Sequence, residues 1–116
     1  DGQVTVDVPA NSAQDAAGND NTAAPQFAVT FDGDAPSLAI TGPAGPVSAA
    51  FTATFTFSED VTGFELGDIT VGNGAASNLS GSATTYTATI TPTADGQVTV
   101  DVPANSAQDA AGNDNT

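Results

Sequence analysis

Seven oxygen-bearing side chains collect in three short stretches of this chain: Asp32 and Asp34 in FDGDAP, Glu59 and Asp60 in FSED, and Asp109, Asn113 and Asp114 in DAAGNDN. Carboxylates gathered in one place repel one another unless a cation sits among them. The chain has no Lys, Arg or His to supply that cation, and its 12 Asp and two Glu leave a net charge of −14. The natural counter-charge is a hard divalent ion. Ca²⁺ suits an all-oxygen donor set because it takes six to eight ligands in flexible geometry. Imidazole and thiolate metal sites are excluded, since His and Cys are both absent.

Each group also has an ordinary structural reading. Asp32 and Asp34 flank Gly33 and could close a turn through an Asx bond. Glu59 and Asp60 are neighbours, so one can point at an ion while the other stays solvated. Asp109 can bond the amides of its own loop, where Gly112 permits a positive φ. Glu65 and Asp68 read as surface charges, and Asp101 lies on the outward face of its strand. The spacing does not meet the EF-hand pattern. A glycosidase pair of Glu59 and Glu65 lacks an aromatic platform for sugar. With no His as general base, the chain does not read as an enzyme.

The elements that must position these groups are strands. Apolar residues alternate with Thr in short runs broken by Gly, Pro, Asn and Asp, and no apolar stripe of helical period appears. Pro36–Pro43 forms a strand with Leu38 and Ile40 inward. In Phe51–Phe57 the residues Phe51, Ala53, Phe55 and Phe57 share one face. Ile69 and Val71 form the next strand, followed by a turn at 72–74. A strand around Leu79, a turn at Gly81-Ser82, and a strand with Tyr86, Ala88 and Ile90 inward come after it. Val98, Val100 and Val102 mark the sixth strand. Pro25–Phe31, with Phe27, Val29 and Phe31 inward, has the pattern of a seventh. Seventeen Thr invite an ice- or glycan-binding reading of the outer faces, but Thr is also the polar residue best suited to an exposed strand.

The repeat fixes how these strands belong together. DGQVTVDVPANSAQDAAGNDNT occupies Asp1–Thr22 and recurs unchanged at Asp95–Thr116, an offset of 94 residues. That is the size of a β-sandwich domain, so the chain reads as part of a tandem array. The expected fold is an all-β, antiparallel Ig-like sandwich with seven strands in each 94-residue repeat. Residues 1–31 are expected to be the last two strands of a preceding repeat, and residues 32–116 a repeat whose own last strand comes from residues equivalent to 23–31. Five residues of linker, Asp32–Pro36, span at most roughly 17 Å. A seven-residue strand is about 23 Å long, so Pro25–Phe31 cannot cross to the far pole of its own module, and completion in trans is expected.

The stretches FTATFTFSEDVTGFELGDITVGNGAASNLSG and YTATITPTADGQVTVDVPANSAQDAAGN, with the linker FDGDAPSLAITGP, resemble the bacterial Ig-like repeats of giant calcium-dependent surface adhesins of the biofilm-associated and RTX type. The resemblance covers nearly the whole chain. It implies a secreted extender module at the cell surface, with Ca²⁺ near the joints between repeats. The matching positions are Asp32, Asp34, Glu59, Asp109 and Asn113. The implied partners are neighbouring identical repeats, with no nucleic acid and no insertion into a membrane; the lack of basic residues agrees. The alternatives are a filament subunit joined by donated β-strands, and a glycan- or ice-binding module.

Overall fold

The computed structural model describes all 116 residues, Asp1–Thr116. The chain divides into two compact units, Asp1–Gly33 and Asp34–Thr116. No helix is long and apolar enough to cross a membrane.

The first unit is a hairpin of β1 (Gly2–Val6) and β2 (Phe27–Phe31). The strands are antiparallel, with Val4 opposite Val29 and Val6 opposite Phe27. Residues directly opposite one another share a face, so these side chains form one apolar side. It has no core: Phe27, Val29 and Phe31 are 61%, 50% and 59% exposed. The inward orientation expected for these three residues is therefore not realised within the hairpin, because two strands offer no second layer to cover them.

The second unit holds six strands: β3 (Leu38–Thr41), β4 (Phe51–Phe57), β5 (Thr70–Gly72), β6 (Gly74–Ser82), β7 (Thr85–Pro92) and β8 (Thr99–Asp101). One sheet has the order β3-β4-β7-β6 and the other pairs β5 with β8, and all pairings are antiparallel. This is the layout of an Ig-like β-sandwich, with the unit's first, second, fifth and fourth strands in one layer and its third and sixth in the other.

The period-2 pattern becomes the core directly. Ala53, Phe55 and Phe57 of β4 and Tyr86, Ala88 and Ile90 of β7 are buried, and Val98, Val100 and Val102 pack on them from the other layer. Phe55 and Ile90 are fully enclosed, and burying side chains of this size contributes about 1.5–3 kcal/mol each. Phe64 stands edge-on to Phe57 and Tyr86, with ring centroids 5.3 and 5.2 Å away. Such pairs add to the area term through the ring quadrupoles.

Two local expectations are corrected. Ile40 is 37% exposed, because it lies over an open groove beside β4 rather than under the second sheet. The turn expected at Gly81-Ser82 falls at Ala83-Thr84, with Ala83 at φ 59°. Gly81 instead serves a close approach: a Cβ there would meet the Thr85 carbonyl oxygen and lie 2.7 Å from the Tyr86 Cα. β6 absorbs an irregularity between Ser77 and Ser80, where Asn78 takes φ 54°.

Candidate metal centre

The segment after β4 is pinned by apolar anchors at both ends of its acidic residues. Phe57, Val61 and Phe64 are all buried, which fixes where Glu59 can reach. The Val61 carbonyl accepts a hydrogen bond from the buried Tyr86 hydroxyl at 3.2 Å. The Ser58 amide donates to the Ser37 carbonyl, and the Ser37 amide donates to Ser58 Oγ. Val61, Phe64 and Ala107 are core residues that the strand pattern misses, since none lies in an alternating run. Their spacing after Phe57 within FSEDVTGF is the only sequence signal for the first two.

The loop after β8 is built by its own polar side chains. Asn115 is 1% exposed, and its Oδ1 accepts the Ser106 and Ala107 amides at 2.7 and 2.8 Å. Asp109 is 5% exposed. Its Oδ1 accepts the Ala111 and Asn113 amides, and its Oδ2 the Asn113 side-chain amide, at 2.8–2.9 Å. Gly112, at φ 91°, lets the chain fold back on the carboxylate. The Asn113 side-chain amide is the main cause holding the Asp109 carboxyl below its ordinary pKa, with the loop amides of Asn113, Ala111 and Gly112 adding to it and burial opposing. Asp109 is therefore an anion at neutral pH.

Backbone bonds join the two loops. The Thr62 amide donates to the Gln108 carbonyl and the Gln108 amide to the Thr62 carbonyl, at 2.8 and 3.0 Å. The Thr116 amide donates to the carbonyl of the buried Pro36. The start of β3, the β4–β5 segment and the loop after β8 thus meet at one pole, as the alternating strand directions require. There Glu59 and Asp109 bring carboxylate oxygens within 4.8 Å of one another.

The donors fit a hard cation. Both are carboxylates, and the chain contributes no side-chain cation to neutralise them. An ionised carboxylate offers about four lone-pair sites, and the three hydrogen bonds to Asp109 leave room for about one more contact. Asp109 thus suits a single monodentate bond, and Glu59 is placed to be its companion ligand.

Asn113, Asp114 and Asp60 are placed differently. Asn113 is committed to Asp109 as its hydrogen-bond donor, and Asp114 Oδ1 accepts the Gln108 side-chain amide at 2.8 Å. Asp60 is exposed and belongs to none of the acidic groupings with metal-ligand proximity. Asp34 lies in the second unit and is exposed. Asp32 lies in the first unit, where its carboxylate and that of Asp1 come within 4.8 Å. Asp1 also accepts the Gly33 amide at 2.9 Å. Sequence reasoning missed Asp1, although the register of β1 on β2, Gly2 opposite Phe31, carries it to that place. Asp68 accepts the Glu65 amide at 2.8 Å, which gives this pair a role in a short 3-10 turn, Leu66–Asp68.

The first copy of the loop repeats the second bond for bond. Asn21 Oδ1 accepts the Ser12 and Ala13 amides. Asp15 accepts the Ala17 and Asn19 amides and the Asn19 side chain, and its pKa is lowered chiefly by that side chain. Yet Asp15 is exposed and belongs to none of the acidic groupings with metal-ligand proximity. The identical sequence folds into the same loop but joins no acidic grouping.

A family model described as bacterial Ig-like domain matches residues 32–116. No curated protein and no solved structure matches the chain.

Proposed function

The chain belongs to the bacterial Ig-like domain family over residues 32–116, and from that premise we propose that it is a structural extender of a secreted bacterial surface adhesin, serving cell adhesion and biofilm formation. The observation that carries this reading is the recurrence of 22 identical residues at the offset of one module. Consecutive copies of a small sandwich make a rod whose length is set by copy number.

Ca²⁺ stiffens the rod in this reading. Glu59 and Asp109 hold the ion at the N-terminal pole of the module, and the linker carboxylates Asp32 and Asp34 complete its shell. The ion supplies the positive charge that the chain lacks, so carboxylates that would push the linker away instead hold it. Binding to the folded module alone also raises its stability by mass action. The same acidity keeps neighbouring rods apart in solution, except where divalent ions bridge them.

Small-angle scattering from a two-repeat chain tests the proposal. Ca²⁺ is expected to lengthen the maximum dimension and narrow the distribution of shapes, and EDTA to reverse both. Identical profiles in Ca²⁺ and EDTA would rule out the stiffening role.

A further inference from the structure

Asn73 is the one asparagine of the chain that is followed by glycine, and the fold requires both residues. Asn73 holds φ 60° in the turn between β5 and β6, the left-handed region that Asn enters more readily than most residues with a side chain. Its Nδ2 donates to the Ala94 carbonyl at 2.9 Å and to the Gln97 carbonyl at 3.3 Å. These bonds fasten the turn to the segment that leads into β8. At Gly74 a Cβ would lie 2.8 Å from the Thr91 carbonyl oxygen and 3.4 Å from the Pro92 Cα, so the backbone opposite leaves room for glycine alone.

The pair that the turn requires is also chemically labile, because asparagine is a thermolabile residue and glycine has no side chain to screen its nitrogen. The Gly74 nitrogen is not tied up by β7. The Thr93 amide donates to the Asn73 carbonyl at 3.0 Å, which makes 73 and 93 a hydrogen-bonded pair. The next pair, Gly74 opposite Pro92, is then of the unbonded kind, as a residue without N–H requires.

We propose that Asn73-Gly74 is a deamidation site gated by the fold, closed while the turn is fastened to residues 94–97 and open when it comes away. In the reaction the Gly74 nitrogen attacks Asn73 Cγ and closes a cyclic imide. The Asn73 side-chain nitrogen leaves as ammonia, taking up a proton in place of the one Gly74 gives to solvent. Water then adds to one imide carbonyl and breaks its C–N bond, which leaves aspartate or isoaspartate. The nitrogen that must leave is the donor of both bonds to Ala94 and Gln97, so neither bond survives ring closure. The step is also one-way for the fold. A carboxylate has no proton to donate and would set its charge against two carbonyl oxygens. Isoaspartate would add a backbone carbon where Gly74 is already pressed on Thr91 and Pro92. The turn joins a strand of one sheet to a strand of the other, so each opening carries a chance of loosening the sandwich for good. This reading is independent of Ca²⁺ and of the extender role.

Peptide mass mapping of the 116-residue chain, kept in mildly alkaline buffer either folded or in denaturing urea, tests the proposal. In urea Asn73 is expected to deamidate ahead of every other asparagine, and in the folded chain at least about tenfold more slowly than in urea. The Asn73→Asp chain should have a lower urea midpoint than Asn78→Asp, which makes the same charge change at an exposed residue of β6. Equal Asn73 rates in the folded and unfolded chain, no deamidation at Asn73 in urea, or equal midpoints for the two variants would overturn the proposal. The rates are read on the wild-type chain, so they decide the gating even if Asn73→Asp fails to fold.

Discussion

Glu59 and Asp109 lie 50 residues apart in the sequence and bring carboxylate oxygens within 4.8 Å of one another. Asp109 cannot move away cheaply. Glu59 sits between the buried anchors Phe57 and Val61, and Asp109 is held by three hydrogen bonds from its own loop. Two like charges at that separation repel until a cation, or loss of one charge, relieves them.

Ca²⁺ is therefore expected to raise the melting temperature of the chain, and EDTA to lower it. At a free ion concentration of 100 times the dissociation constant the gain is about 2.7 kcal/mol. Glu59→Gln should remove most of the Ca²⁺-dependent rise and raise the melting temperature in EDTA, because a neutral amide does not repel Asp109. Calorimetry with and without Ca²⁺ checks both directions. An equal Ca²⁺ response in wild type and variant would place the ion elsewhere.

Acid should weaken both loops. Asp15 and Asp109 have folded pKa values below the ordinary 3.8, so the folded loops bind protons less readily than the unfolded chain. Their contribution is complete above about pH 5 and is lost as pH falls through 3.8 and past the lower folded values. Carbon-13 titration of the carboxyl groups in EDTA should give both midpoints under 3.8. Asn113→Ala should move the Asp109 midpoint up and leave Asp15 where it is, and Asn19→Ala should do the reverse.

One substitution made at two equivalent places separates local from tertiary effects. Asn115→Ala strips the acceptor from the Ser106 and Ala107 amides in a buried setting. The expected loss is about 2–4 kcal/mol, since each buried donor left unpaired costs about 1–3 kcal/mol. Asn21→Ala removes the same two bonds where the donors are exposed, so water replaces them and the second unit's stability should stay within about 0.5 kcal/mol of wild type. Urea unfolding followed by the fluorescence of Tyr86, the single tyrosine, reads the second unit in both cases.

Gly81→Ala should destabilise the second unit by about 1–3 kcal/mol, the range for a residue forced into a sparsely populated backbone region. Gly81 holds φ 122°, and an added methyl group would press on the Thr85 carbonyl and the Tyr86 backbone. The urea midpoint should fall without a change in slope, since the core it flanks stays the same size.

Much of the fold was legible because strands with one buried face write their period into the sequence. Phe51–Phe57 and Tyr86–Ile90 alternate, and their inward residues are the core. Phe64, Val61 and Ala107 were not legible, because they sit in irregular segments whose burial depends on what packs over them. The acidic pole was legible as a set of candidates, since strand direction sends three segments to one end. Which carboxylates meet there was not: Asp60 directly follows Glu59 in sequence yet joins no acidic grouping.

The repeated stretch divides the two kinds of information most cleanly. By itself the sequence NSAQDAAGNDN determined its loop, down to Asn11 and Asn105 both at φ 64°, because the side-chain and backbone bonds that shape it in both copies join residues within or just beside the stretch. Tertiary structure decided everything that needs a partner. It set the strand at Gly2–Val6 in one copy and Thr99–Asp101 in the other. It left Asp15 exposed and outside every acidic grouping, and it buried Asp109 beside Glu59. The physical reason is range: an Asx-type bond closes within a few residues, whereas a strand, a core or a shared ion exists only where distant parts of the chain supply the other half.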